Sequence, residues 1–118
     1  MSPSKVSTIV LNWYSRDTID ACLESLMAQT YVPHEVILVD NASRDGSLEL
    51  IRKKYGDRIH ILENPVNRGF SGGVNQGIGA STGDYVALLN ADAIASPDWI
   101  AALVGGLEQF QQILAVLG

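Results

Sequence analysis

Apolar positions along the chain switch repeatedly between a strand-like and a helix-like period. Val6 to Leu11 is a short run rich in β-branched residues and predicts a first strand. From Ser15 the pattern changes: Ile19, Cys22, Leu23, Leu26 and Met27 line one face of a helix. Pro33 marks its break, and Glu35 to Val39, nearly all apolar, predicts a second strand. Leu48, Ile51 and Tyr55 form a second helical stripe, with Lys53 and Lys54 in the last turn and Gly56 as the stop. Arg58 to Leu62 predicts a third strand and Tyr85 to Leu89 a fourth. Between them lies a glycine-rich segment, Gly69 to Gly83. Gly69, Gly73 and Gly77 would share one face of a helix there and let it approach a sheet closely. Ser96-Pro97-Asp98 opens a last helix, with Ser as cap, Pro at the first helical position and Asp near the positive end of the dipole. Its predicted face is Ile100, Leu103, Val104 and Leu107, and Gly105 and Gly106 weaken its middle.

The sum is an alternation of four strands and four helices. Strands that are apolar throughout, alternating with helices, indicate an α/β fold with a mainly parallel sheet covered on both faces. Right-handed crossovers make that sheet doubly wound. Ligands of such sheets bind at the carboxyl ends of the strands, which directs attention to the residues just after each apolar run.

Composition narrows the chemistry. The 118 residues fit one domain, and a hydrophobic fraction of 47% is too high for a disordered chain. Eight basic against 13 acidic residues give a net charge of −5, a poor balance for a general nucleic-acid or membrane-surface binder. An anionic ligand must therefore be met locally, by backbone amides, one or two arginines, or a metal. The single cysteine, Cys22, excludes an internal disulfide and a Cys-rich zinc site. No apolar run reaches the roughly 18 residues of a membrane span, so the reading is of a soluble, cytoplasmic chain.

The strand ends carry the informative residues. After strand one, Asn12-Trp13-Tyr14 offers an amide and two aromatics, which suit a planar base, and no glycine. The missing G-x-G-x-x-G argues against a dinucleotide or methyltransferase fold. After strand two stands Asp40, a carboxylate costly to desolvate unless something partners it, followed by Ser43 and Asp45, which suit turn and capping roles. After strand three, Arg68 and Gly69 precede the glycine-rich helix, whose start offers free amides and a positive dipole to a phosphate. No Gly-Lys-Ser/Thr follows, so this is not a Walker loop. After strand four, Asn90 and Asp92 stand two apart. One carboxylate suits magnesium only if waters and substrate phosphates complete its shell. The net charge favours such a metal between an acidic protein and an acidic ligand.

Four segments together resemble a known family: Val6-Ser-Thr-Ile-Val-Leu-Asn-Trp-Tyr14, Val36-Ile-Leu-Val-Asp-Asn-Ala-Ser-Arg-Asp-Gly-Ser47, Asn64-Pro-Val-Asn-Arg-Gly-Phe-Ser-Gly-Gly-Val-Asn-Gln-Gly77 and Asp84-Tyr-Val-Ala-Leu-Leu-Asn-Ala-Asp92. In this order they resemble glycosyltransferase family 2, with its Rossmann-like GT-A fold, and most nearly the branch that includes rhamnosyltransferase-like enzymes. The resemblance implies inverting sugar transfer from a UDP- or dTDP-linked donor to a saccharide or lipid-linked acceptor, in polysaccharide biosynthesis. It implies that Asp40 hydrogen-bonds the base, that Asn12 and Trp13 line it, and that Arg68 and Gly69 lie against the nucleotide. Asp92 matches the last position of the family's Asp-x-Asp motif, which binds magnesium or manganese together with the diphosphate. Its first position is Asn90 here, which leaves one protein carboxylate and turns Asn90 toward the ribose or the metal's water shell.

The resemblance further makes residues 1–118 the donor-binding part of a larger domain, with Ile113-Leu-Ala-Val-Leu-Gly118 beginning a fifth strand. The general base and the acceptor-binding part would then lie beyond Gly118, and the full enzyme would be cytoplasmic or peripheral to the inner face of the membrane. The alternative is a catalytically silent α/β module that self-associates through its open sheet edge. A receiver-like phosphoacceptor rests on Asp40 alone and lacks an acidic cluster at the first strand end.

Overall fold

In the computed structural model, residues 3–117 are described, with side chains for residues 3–110. Four strands, β1 (Val6–Asn12), β2 (His34–Asn41), β3 (His60–Asn64) and β4 (Tyr85–Leu88), form one sheet in the order β3-β2-β1-β4. Every neighbouring pair is parallel. Four α-helices connect and cover them: α1 (Ile19–Met27), α2 (Ser47–Tyr55), α3 (Gly69–Ala80) and α4 (Trp99–Leu117). The doubly wound α/β reading therefore stands.

Strand parity divides the core. Val10, Val36 and Leu38 face α1 and α2 and pack with Ile19, Leu23, Leu26, Leu48 and Ile51. Val6 and Ala87 pack against Ile100 and Val104 of α4. On the opposite face Ile9, Ile37 and Val39 pack with Leu62 and Ala80. There the glycines of α3 meet the sheet. A Cβ on Gly73 would stand 2.6 Å from Leu11 Cδ2, and one on Gly77 would stand 2.8 Å from Ile9 Cγ2. The four-residue spacing thus marks a close helix–sheet approach, as expected.

Several boundaries differ from the sequence reading. β1 and β2 extend to Asn12 and Asn41, because ladder pairing continues through Asn12 opposite Asp40. β3 starts at His60 rather than Arg58. Gly56–Arg58 instead form a short 3₁₀ turn, and the Arg58 guanidinium donates to the Lys54 and Tyr55 carbonyls at 3.0 and 3.4 Å, satisfying the end of α2. Of the predicted α4 face, Ile100 and Val104 are buried, whereas Leu103 and Leu107 remain 38% and 42% exposed.

The fifth strand expected from Ile113 is not formed: α4 continues through Leu117. No breaker separates Glu108 from Leu117, and Gln, Leu and Ala favour a helix. A strand there would also need a pairing partner. Gly105 and Gly106 are accommodated mid-helix. Gly118 lies outside the described residues.

Candidate nucleotide site at the strand ends

Parallel pairing brings the carboxyl ends of β1, β2 and β3 to one edge, with Asn12 opposite Asp40, Asp40 opposite Glu63, and Asn41 opposite Asn64. Asp40 is almost completely buried at 1% exposure. Its Oδ1 accepts from Asn12 Nδ2 at 2.8 Å, and its Oδ2 accepts from the Ser43 amide at 3.3 Å. These contacts supply the partners that a buried carboxylate requires. Asn12 is equally buried and lies behind Asp40. Its Nδ2 also donates to Ser47 Oγ at 2.8 Å, at the start of α2, while its Oδ1 has no hydrogen-bond partner among the described residues. Asp40 forms part of a cleft of about 230 Å³ with Ala42, Ser43, Arg44, Glu63, Asn64 and Pro65.

The two loops at this edge are tied together. Ser43 Oγ accepts the Tyr14 N–H at 2.9 Å and donates to the Asn12 carbonyl at 3.3 Å. Asp45 accepts the Arg16 N–H at 3.1 Å, and its other oxygen accepts from Ser47 Oγ and N–H at 2.6 and 3.1 Å. Burial pushes the Asp45 carboxyl up, but the hydrogen bonds from Ser47 and Arg16 outweigh it and hold it below the usual carboxylate range. The capping role expected of Asp45 is thus present one residue early, before Gly46. Tyr14 and Ala42 both have positive φ, 52° and 60°. Non-glycine residues held there cost about 1–3 kcal/mol each, and such strain concentrates at ligand sites. Trp13 and Tyr14 stack edge to face at 5.5 Å and stay more than half exposed, so they are not core residues.

Across β2 the next residue points the other way. Asn41 Nδ2 donates to the Gly69 carbonyl at 3.1 Å, and its Oδ1 accepts the Arg68 N–H at 3.4 Å and Asn64 Nδ2 at 3.1 Å. Asn64 and Gln76 exchange two hydrogen bonds at 2.8 and 2.9 Å. Gly69 adopts φ +75°, and its N–H, expected to be open to a phosphate, donates to Asn67 Oδ1 at 2.7 Å. The Arg68 guanidinium has no hydrogen bond or ion pair among the described residues.

Asn90 and Asp92 lie beyond β4, on the far side of β1 from Asp40, and both are exposed. The loop that carries them is anchored to α1. Cys22 Sγ donates to the Asn90 carbonyl at 3.4 Å, and Gln29 Nε2 and Oε1 bind the Ser96 carbonyl and Ile100 N–H at 2.6 and 2.9 Å. Burial, with the Asp92 charge adding to it, pushes the Cys22 thiol up to about 11. The thiol therefore stays protonated and holds the loop. Among the described residues no group of three or more His, Cys, Asp or Glu is placed to hold a metal. No helix among them is long and apolar enough to cross a membrane. A separate apolar cleft of about 400 Å³ lies between α1 and α2, bounded by Ile19, Leu50, Ile51 and Tyr55, away from the strand ends.

Asn41, Asn64, Gln76, Ser47 and Cys22 were not singled out as site residues from the sequence. The signal available for the first two was an amide closing an apolar strand, the same signal that marked Asn12.

The sequence model of glycosyl transferase family 2 matches residues 7–117. An uncharacterized glycosyltransferase of Haemophilus influenzae is 36% identical over 113 residues, covering 94% of this chain and 35% of that protein. The putative glycosyltransferase EpsE of Bacillus subtilis is 31% identical over 118 residues, covering 98% and 42%. Among solved structures, the mannosyltransferase PcManGT from Pyrobaculum calidifontis, in complex with GDP-Man and Mn2+, superposes with a TM-score of 0.74 at 27% identity, covering 85% of this chain and 33% of that one. Staphylococcus aureus TarS 1-349, in complex with UDP-GlcNAc, gives 0.80 at 22% identity, covering 89% and 31%, which is a likeness of fold. The chain spans 35% and 42% of the lengths of the two relatives it matches. A family match that spans residues 7–117 identifies the chain as belonging to glycosyltransferase family 2.

Proposed function

We propose that this chain supplies the donor site of an inverting glycosyltransferase that moves a sugar from a UDP- or dTDP-linked donor to an acceptor hydroxyl. The observation that carries the reading is Asp40, nearly buried yet part of an open cleft, with one oxygen on Asn12 and the other on the Ser43 amide. A carboxylate fixed in this way is an oriented acceptor for the N–H of a pyrimidine. Asn12 acts from behind by holding Asp40. Trp13, half exposed at the same edge, offers a face to the base. Arg68 and the start of α3 lie on the opposite face of β2 and suit the diphosphate.

The residues present fit a divalent metal. Asp92 is exposed and carries no hydrogen bond or ion pair among the described residues. A hard cation such as magnesium or manganese takes one or two carboxylates and completes its shell with waters and phosphate oxygens. Asp92 would hold it, with Asn90 beside the ribose or a coordinated water. When bound, it would stabilise the charge of the departing nucleoside diphosphate. The general base that accepts the acceptor's proton is proposed to lie outside residues 1–118, together with the saccharide or lipid-linked acceptor site. On this reading the 118 residues alone are inactive. The full enzyme would work in the cytoplasm or at the inner face of the membrane.

Titration of UDP and dTDP in the presence of manganese tests the reading. Asp40→Ala is expected to weaken binding by about 10- to 100-fold, the loss of a hydrogen bond to a charged group. The absence of binding at millimolar nucleotide, or undiminished binding by Asp40→Ala, would refute it. A second reading, a silent module that self-associates, draws on β4. Among the described residues this edge strand pairs with β1 alone, and it leaves Val86 and Leu88 about two-fifths exposed. Light scattering after size exclusion separates the two, because a monomer at high concentration removes the second.

A further inference from the structure

We propose that Asn64 and Gln76 are positioning residues for the donor diphosphate, acting through Asn41 on the Arg68–Gly69 turn. The inference rests on the donor-site reading above. Asn41 and Asn64 are 3% and 2% exposed, and of the two only Asn64 borders the Asp40 cleft. Their amides nevertheless form a chain that ends on backbone. Gln76 Oε1 accepts from Asn64 Nδ2 at 2.8 Å, and Gln76 Nε2 donates to Asn64 Oδ1 at 2.9 Å. The second Asn64 Nδ2 hydrogen goes to Asn41 Oδ1 at 3.1 Å. Asn41 then holds both polar groups of one turn, the Arg68 N–H and the Gly69 carbonyl, at 3.4 and 3.1 Å.

The chain has only one workable polarity. A carboxamide has a donor end and an acceptor end. If Gln76 turned over, Asn64 would have to follow, and its oxygen would then face Asn41 Oδ1. Asn41 would have to turn as well, setting its NH₂ against the Arg68 N–H and its oxygen against the Gly69 carbonyl. The backbone groups cannot exchange roles, so they lock all three amides, and the three amides in turn lock the backbone. Apolar residues would satisfy packing at buried positions without this directionality, whereas a buried amide left half-paired is costly. The device thus spends three amides, on β2, β3 and α3, to set one turn. That turn places Gly69 at φ +75° and launches the Arg68 side chain, which is unpaired among the described residues. The Asp40 contacts, on the opposite face of β2, involve none of these groups.

This separation gives the test. Amide shifts of the 118-residue chain are followed during titration with UDP and, separately, with uridine. Gln76→Met keeps chain length and removes both hydrogen bonds. Its UDP dissociation constant is expected to rise about ten-fold, the equivalent of about 1.4 kcal/mol, while that of uridine stays unchanged. In the free variant the Arg68 and Gly69 resonances move and that of Ser43 does not. Gln76→Glu keeps the acceptor facing Asn64 Nδ2 and serves, with the same split expected, where the methionine variant does not fold. Equal weakening of UDP and uridine, or no weakening of either, overturns the positioning role and leaves the donor site standing. Failure of the unaltered chain to bind UDP overturns both.

Discussion

Replacing Gly77 with alanine drives a methyl group into the sheet. The added Cβ would lie 2.8, 3.0 and 3.1 Å from Cγ2, Cδ1 and Cγ1 of Ile9. Ile9 is fully buried, packs with Ile37 and Val39, and as a β-branched residue has little rotamer freedom. The helix must therefore retreat from β1. Overpacking of this kind costs about 1–3 kcal/mol. Alanine returns about 1 kcal/mol of helix propensity. With a clash against three atoms of a side chain that has nowhere to go, the overpacking cost lies in the upper part of that range, about 2–3 kcal/mol, and the net is a loss of about 1–2 kcal/mol.

Gly79, two residues further along α3, is the internal control. Nothing lies within 4 Å of its added Cβ, so Gly79→Ala keeps the propensity gain without the clash. It is expected to stabilise by about 0.5–1 kcal/mol. Both variants reduce the freedom of the unfolded chain to a similar degree, so their difference reports the contact with Ile9. Urea unfolding is the assay, with midpoints shifting in opposite directions at similar m-values. If both alanines stabilise equally, or both destabilise equally, the close approach of α3 to Ile9 does not exist in solution.

Two further outcomes follow from the electrostatics. Glu35 accepts hydrogen bonds from Ser7 Oγ and from the Thr82 N–H and hydroxyl at 2.6, 2.8 and 2.8 Å; burial pushes its carboxyl up, but these bonds together with Lys5 outweigh it and leave it below the usual range. A carboxyl lowered by folding stabilises above its unfolded value of about 4.3 and loses that contribution as pH falls through the folded value. Glu35→Gln should therefore cost about 1–2 kcal/mol at pH 7, with the gap closing below about pH 4; a gap of equal size at pH 7 and pH 3 sinks the assignment. Asp92→Asn should abolish the gain in UDP affinity brought by manganese and leave affinity in EDTA unchanged; a manganese gain that persists removes Asp92 as the ligand.

What was legible in the sequence was whatever a single segment carries. The apolar run of β2 ends abruptly at Asp40, and the ladder with β1 makes Asn12 its neighbour. The four-residue spacing of glycines in α3 announced a close approach, which Gly73 and Gly77 make. Contacts that exist only in three dimensions were not legible. Arg58 looked like the first residue of β3, and only its reach back to the Lys54 and Tyr55 carbonyls shows that it finishes α2. Asn41, Asn64 and Gln76 stand 23 and 12 residues apart, and although the first two each close a strand, nothing local shows that the three amides meet. Their pairing exists only after β3 has docked on β2 and α3 has folded over both.

The period of the strand explains why β2 is central. Side chains of successive strand residues point to opposite faces, so Asp40 reaches toward α1 and α2 while Asn41 reaches toward α3. On the proposed reading, two adjacent residues would thereby serve the two halves that a nucleotide presents, a base on one side of the sheet edge and a diphosphate on the other. A one-residue slip of β2 would bury Asn41 beside Asn12 and Ser47 and turn Asp40 toward Asn64 and Gly69. Asp40 would then face the Gly69 carbonyl with no hydrogen to give it, and Asn12 Nδ2 would lose its charged acceptor. Correct register is therefore enforced by the polar residues at the strand end as well as by the apolar core behind them. The arrangement proposed to bind the donor also specifies how the sheet is assembled.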